Sequence, residues 1–315
     1  MHHKTIRIAT ATAMAGLTLG LATTGASAAP ADGGSAAAAA DIVERATGTG
    51  DIAPSAPAAG TPAKSVIQTP GGAVTVTAPE QADGTLTAGA KDGSRLGFGL
   101  PVTDGVRAVK AGSGTVVYPD AGRSTDLAIQ PTVDGGARTL VTLKDQAAPT
   151  THRFTVHLPD GADLSEDGRG GYEITREVDE GVRVTVGTVE APWAKDANGK
   201  PVETSYRLDG DGIVQTVEAN EGTAFPVVAD PKFTWGIVTG TAYFSKGETK
   251  KIADNGALAA MGTWALPPGL NVYVSAHAAA ITTTAVKAKN AKRCIKIKFA
   301  AGLFLPDQYS GGYCK

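Results

Sequence analysis

Apolar residues recur at every second position across residues 66–233, and Asp-Gly or Asn-Gly pairs interrupt the pattern. Ala73-Val74-Thr75-Val76-Thr77, Arg153-Phe154-Thr155-Val156-His157-Leu158 and Gly181-Val182-Arg183-Val184-Thr185-Val186 alternate in this way. Thr115-Val116-Val117-Tyr118 does so less regularly. Successive side chains of an extended chain point to opposite faces, so each run has one apolar and one polar face. The interruptions at Asp134-Gly135-Gly136, Asp160-Gly161, Asp167-Gly168, Asn198-Gly199 and Asp209-Gly210 carry the residues that tight hairpin turns demand. The spacing predicts an all-β body, an antiparallel sandwich or meander.

The rest of the chain is built differently. Positive charge at Lys4 and Arg7, an uncharged run over residues 8–22 and the small residues Ala26-Ser27-Ala28 read as a secretory signal over residues 1–28. Residues 29–63 are dominated by Ala, Gly, Pro, Ser and Thr, which predicts a low-complexity linker with at most a fluctuating helix near residues 36–45. The acidic β-rich domain is placed at residues 64–232 and a basic α+β domain at residues 233–315. Residues 1–245 carry a formal charge of −9 and residues 246–315 one of +7, although the whole chain sums to −2. Such a step marks a boundary, here near residues 230–235. With 42 % hydrophobic and 19 % charged residues, 40 glycines and two cysteines, the chain is no coiled coil, collagen, disulfide-dense miniprotein or polytopic membrane protein.

In the C-terminal part, Ser245 three residues before Glu248 is a capping-box spacing that predicts a helix over residues 246–254, resuming over 257–264. Pro267-Pro268-Gly269 breaks it, and an Ala-rich helix is expected over residues 271–292. Cys294-Ile295-Lys296-Ile297-Lys298-Phe299 reads as an amphipathic strand, and Gly311-Gly312 turns the chain so that Cys314 reaches Cys294. These are the only two cysteines, so an exported chain pairs them.

Several segments of the body together resemble a known module. Leu158-Pro159-Asp160-Gly161-Ala162-Asp163-Leu164, Ala191-Pro192-Trp193-Ala194-Lys195-Asp196-Ala197-Asn198-Gly199-Lys200-Pro201-Val202, Tyr206 and Phe225-Pro226-Val227-Val228-Ala229-Asp230-Pro231 follow one another over residues 150–232. The succession resembles a β module of actinobacterial secreted proteins, some of Rhs-type or wall-associated architecture, in which it precedes a different C-terminal region. No Rhs repeats are present. The resemblance implies export and modularity and attaches no activity.

Residues 255–286 contain no Asp, Glu, Lys or Arg, while basic residues flank them. That arrangement suits either an ordinary buried hairpin or contact with an anionic bilayer. The cations expected to make surface contacts are Lys250, Lys251, Lys287, Lys289, Lys292, Arg293, Lys296 and Lys298. No catalytic residue is assigned, since no H-E-x-x-H, G-x-S-x-G or P-loop spacing occurs. His152 and His157 are an odd number of residues apart on one strand and face opposite ways, and His277 stands elsewhere. Asp160, Asp163, Glu166 and Asp167 are a weak Ca²⁺ candidate, and solvated turns explain them equally well. Trp193, Trp235 and Trp264 are expected in the core or an interface. No cofactor is expected.

The functional expectation is a secreted, non-enzymatic effector. Its acidic body would present or shield a cationic C-terminal region acting on a membrane or polyanionic surface. Its rivals are a protease inhibitor or wall-associated protein contacting through residues 303–313, and a hydrolase. The expected partners are an anionic membrane, a cell-wall polymer or a secreted protease, and not nucleic acid.

Overall fold

The computed structural model describes residues 33–54, 63–69, 72–91, 93–235, 239–261, 274–300 and 303–315. The expected signal, Trp264, Pro267-Pro268-Gly269 and the start of the helix placed at residue 271 lie outside them.

The alternating runs become the strands of two antiparallel sheets. The first has seven strands in the order β1 (Lys64–Thr69), β2 (Gly72–Thr77), β3 (Thr85–Ala90), β4 (Arg95–Gly99), β9 (Thr151–His157), β15 (Gly212–Val217) and β14 (Thr204–Asp209). The second runs from β20 (Leu303–Tyr309) through β19 (Cys294–Ala300), β18 (Thr239–Phe244), β12 (Val182–Val189), β17 (Lys232–Trp235), β8 (Gly136–Leu143), β7 (Thr125–Pro131) and β6 (Thr115–Gly122) to β5 (Val109–Ala111). Strands β10 (Ala162–Glu166) and β11 (Tyr172–Asp179) extend it beside β12, and β13 (Ala194–Lys195) with β16 (Val227–Ala229) beside β8. The Asp-Gly pairs do what their chemistry predicts: Asp209 and Gly212 close the β14–β15 hairpin, with Gly210 at φ 61°.

The apolar faces of the two sheets meet in the main core. Phe98 of β4 stacks on Phe233 of β17 with ring centroids 4.4 Å apart, joining the layers at their centre. Trp235 is buried in the same core. Trp193 is half-buried, packs beside a second cluster and lies under the Lys195 ammonium.

The segment expected as a linker is corrected by helix α1 (Gly33–Thr47), which buries Ala36, Ala39, Ala40 and Val43 against Val117, Ala128, Leu140 and Val228. Alanine has the highest helix propensity, and its small side chain lets a helix lie close to a sheet. Composition reads as low complexity because this face contains almost no bulky residue.

In the C-terminal part, α2 (Lys246–Asn255) starts at Ser245, whose Oγ accepts the Glu248 N–H at 3.3 Å, as the capping spacing predicts. α3 (Ala257–Met261) follows, and α4 (Ala278–Asn290) packs on α2 and β19. α4 ends before the expected residue 292 because Lys292 adopts φ 55° and turns the chain into β19. Ile252, Ile281, Ala285 and Ala288 close a small core against Val182, Val184, Ala242, Phe244, Ile295 and Ile297. Cys294 and Cys314 are bonded, with Cα atoms 5.6 Å apart.

The placed boundary near residues 230–235 coincides with β17. This strand is hydrogen-bonded to β8 on one side and β12 on the other, so the segments before and after it share one sheet.

Candidate functional site

The eight expected cations do not gather on one surface. β19 alternates, with Ile295 and Ile297 toward the helices and Lys296 and Lys298 on the opposite face of the sheet. Lys250, Lys251, Lys287 and Lys289 belong to the helix layer. Asp254 pairs with both Lys250, at 2.5 Å, and Lys289, and Glu248 pairs with Lys251. Lys292 and Arg293 are exposed where α4 joins β19.

The sheet face carrying Lys296 has a different composition from the helix layer. Register places Arg183, Tyr243, Lys296 and Asp307 in one row across β12, β18, β19 and β20. Beside them, Lys298 stands opposite Leu305, which is 59 % exposed. The Lys296 ammonium lies 6.0 Å from the Tyr309 ring centroid. The Arg183 guanidinium, paired with Asp163, lies 4.9 Å from the ring of Tyr313. Tyr243 packs against both Tyr309 and Tyr313, with centroids 5.4 and 5.3 Å apart.

Each tyrosine hydroxyl is tied down. Tyr243 donates to Glu173 at 2.6 Å and Tyr309 to the Phe244 carbonyl at 3.0 Å, while Tyr313 shares a hydrogen with Thr175 at 2.9 Å. Burial and the Glu173 carboxylate raise the Tyr243 pKa, so it stays a neutral donor. Half-buried rings held at their hydroxyls, with cations between them, form a rigid aromatic and cationic face. The disulfide ties the last residues across this face, and the Lys315 carbonyl accepts from the Lys246 N–H. Residues 303–313, expected as a rigid disulfide-closed contact loop, are instead mostly the sheet's edge strand β20.

The acidic quartet disperses. Asp163 reaches Arg183, and Asp167 closes its own turn by accepting from the N–H groups of Arg169 and Gly171. Asp163 and Glu166 lie an odd number of residues apart on β10, hence on opposite faces. Among the described residues no three His, Cys, Asp or Glu side chains converge as metal ligands would. On β9, His152 is buried and His157 exposed, the opposite facing that their spacing predicts. Burial lowers the His152 pKa to about 4.

One strongly perturbed group was not visible in the sequence. Asp230, 0 % exposed between β16 and β17, accepts at Oδ1 from the Trp193 N–H at 2.9 Å, the Tyr206 hydroxyl at 3.3 Å and Gln215 Nε2 at 3.5 Å. Among the described residues its Oδ2 has no partner. Burial pushes its pKa up to about 7, although the Trp193 N–H and the Tyr206 hydroxyl lower it. No alternation pattern marks this residue, which lies between β16 and β17 and whose partners Tyr206 and Gln215 come from β14 and β15. A cleft of about 270 Å³ lined by Leu143, Asp145, Ala148, Thr150, Asn220 and Phe225 does not include Asp230.

No protein-family model, curated protein or solved structure matches this chain, and none supports the expected resemblance of residues 150–232 to a secreted β module. Among the described residues no helix is long and apolar enough to cross a membrane.

Proposed function

We propose that the chain is exported, loses residues 1–28, and acts outside the cell as a non-enzymatic binding protein for an anionic wall polysaccharide. The observation that carries the reading is the row Arg183, Tyr243 and Lys296, with Tyr309, Tyr313 and Lys298 beside it on one sheet face. Tyrosine rings offer apolar faces to the C–H surfaces of sugar rings, and the Lys296 and Lys298 ammonium groups offer partners to their carboxylate or phosphate groups, while Arg183 is already paired with Asp163. Rings already held in place lose little entropy when a polymer docks. The disulfide suits an oxidising compartment.

Presentation of this face is better supported than shielding of a cationic tail. Three of the expected lysines are occupied by the tail's own Glu248 and Asp254. Membrane insertion has little support among the described residues, where α4 packs Ile281, Ala285 and Ala288 into the core.

The test is co-sedimentation of the full chain with purified cell-wall sacculi, together with affinity electrophoresis in alginate and in neutral dextran. Binding to sacculi and alginate, weakened by salt and lost in Lys296→Glu and Tyr309→Ala, is expected. Lys287→Glu on the helix layer should leave binding unchanged. Equal loss in all three variants, or retention of the wild-type chain by neutral dextran alone, would overturn the assignment.

A further inference from the structure

The Asp230 carboxyl sits where burial disfavours a charge and has no route to an external substrate. It is fully buried, no cation pairs with it among the described residues, and the described cleft does not reach it. Such a group can still react with its own chain, because the nucleophile and its target belong to one residue and the peptide bond breaks before the one water that completes the reaction has to reach it. The next residue is Pro231, so the carboxyl is adjacent to a tertiary amide whose nitrogen leaves as a secondary amine.

We propose that the folded chain cleaves its own Asp230–Pro231 peptide bond. A carboxyl oxygen of Asp230 adds to the Asp230 main-chain carbonyl carbon, and the C–N bond to Pro231 breaks. The carboxyl proton passes to the proline nitrogen. The cyclic anhydride left at residue 230 takes up one water and opens to two carboxyl groups, so atoms balance without any oxidant or reductant.

The surroundings favour this chemistry in three ways. The Trp193 N–H, the Tyr206 hydroxyl and Gln215 Nε2 all hold Oδ1, which leaves Oδ2 as the oxygen free to attack. The peptide is fixed on both sides, by the Asp230 N–H donating to the Trp193 carbonyl at 3.3 Å and the Thr139 N–H donating to the Pro231 carbonyl at 2.8 Å. A pKa near 7 keeps the required proton on the carboxyl at mildly acidic pH, where an ordinary aspartate has lost it. The titratable and charged groups around it are Tyr206 on β14 and Glu190 after β12, with Lys232 paired to Glu190. His152 on β9 stands opposite Gln215 in the β9–β15 register.

Cleavage at this point would separate residues 231–315 covalently but not physically. β17 stays bonded between β8 and β12, and β18 stays paired with β12. The product is a nicked protein held together by its sheet, with Phe233 and Trp235 still in the core.

The full chain is incubated at mildly acidic and at alkaline pH with protease inhibitors, natively and in urea, and followed by denaturing mass spectrometry. The expected result is a fragment pair ending at Asp230 and beginning at Pro231, whose masses sum to the chain plus one water. First-order, concentration-independent formation is expected, about a hundredfold faster in the native chain than in urea. Native gel filtration should show the fragments eluting together. Asp230→Asn and Pro231→Ala should abolish the pair, and Tyr206→Phe should change its rate, with circular dichroism confirming that each variant folds. An intact chain at every pH, an equal rate in urea, or cleavage persisting in folded Pro231→Ala would overturn the proposal.

Discussion

Asp230 and His152 are both buried, yet their protonation bears on stability with opposite sign. Asp230 keeps its proton up to about pH 7 when folded, against an ordinary value of 3.8. The folded state therefore binds more protons between those values. Its contribution is fully present below pH 3.8 and lost as pH rises through about 7. His152 protonates only near pH 4 when folded, against an ordinary 6.5, so its contribution is present above 6.5 and lost as pH falls toward 4. The two slopes partly cancel in the native chain. Asp230→Asn should gain stability relative to wild type at alkaline pH, converge with it at acidic pH, and show the His152 loss undiluted. His152→Gln should flatten that acid limb. Urea unfolding across this pH range checks both, and profiles parallel to wild type would rule the linkage out. Alternation put His152 and His157 on opposite faces of β9 without saying which is buried, and the burial of Asp230 involves partners on β14 and β15.

Among the elements, α1 was the least legible. Its stripe of Ala36, Ala39, Ala40 and Val43 is regular, but alanine contributes little to a hydropathy pattern and the surrounding Gly, Pro and Ser suggest a linker. What holds α1 in place is long-range. Glu44 accepts from the Ser113 N–H and the Thr115 hydroxyl, both at 2.7 Å, and Lys195 donates to the Ala46 carbonyl at 2.8 Å near the helix end. Gly112 allows the approach, since a Cβ there would lie 2.2 Å from the Glu44 carboxylate. Glu44→Ala should cost about 1.5 kcal/mol and speed proteolytic cutting within α1 before the rest of the fold. Unchanged proteolysis would mean that alanine packing alone anchors the helix. By contrast, α2 was readable at both levels, because its cap is a local signal three residues long.

At the scale of the whole molecule, the disulfide ties the last residues across the sheet face carrying the tyrosines. Its loss in Cys294→Ser/Cys314→Ser should lower stability by about 3 kcal/mol in the chain-entropy model. Hydrogen exchange should rise first in β19 and β20, and polysaccharide binding should weaken with it. Uniform protection in that variant would show that the sheet holds the last residues without the bond. The sequence by itself determined the β class of the body, its Asp-Gly and Asn-Gly turns, the α2 cap, the cysteine pairing and the step in charge, because each depends on residues near one another or on simple counting. Only the tertiary structure decided that β17 lies between β8 and β12, that Arg183, Tyr243 and Lys296 form one row, and that Asp230 is buried. A two-residue period tells which side of a strand is apolar and nothing about which strand comes next to it. Neighbours, and therefore sites built across strands, are set by packing between segments far apart in the chain.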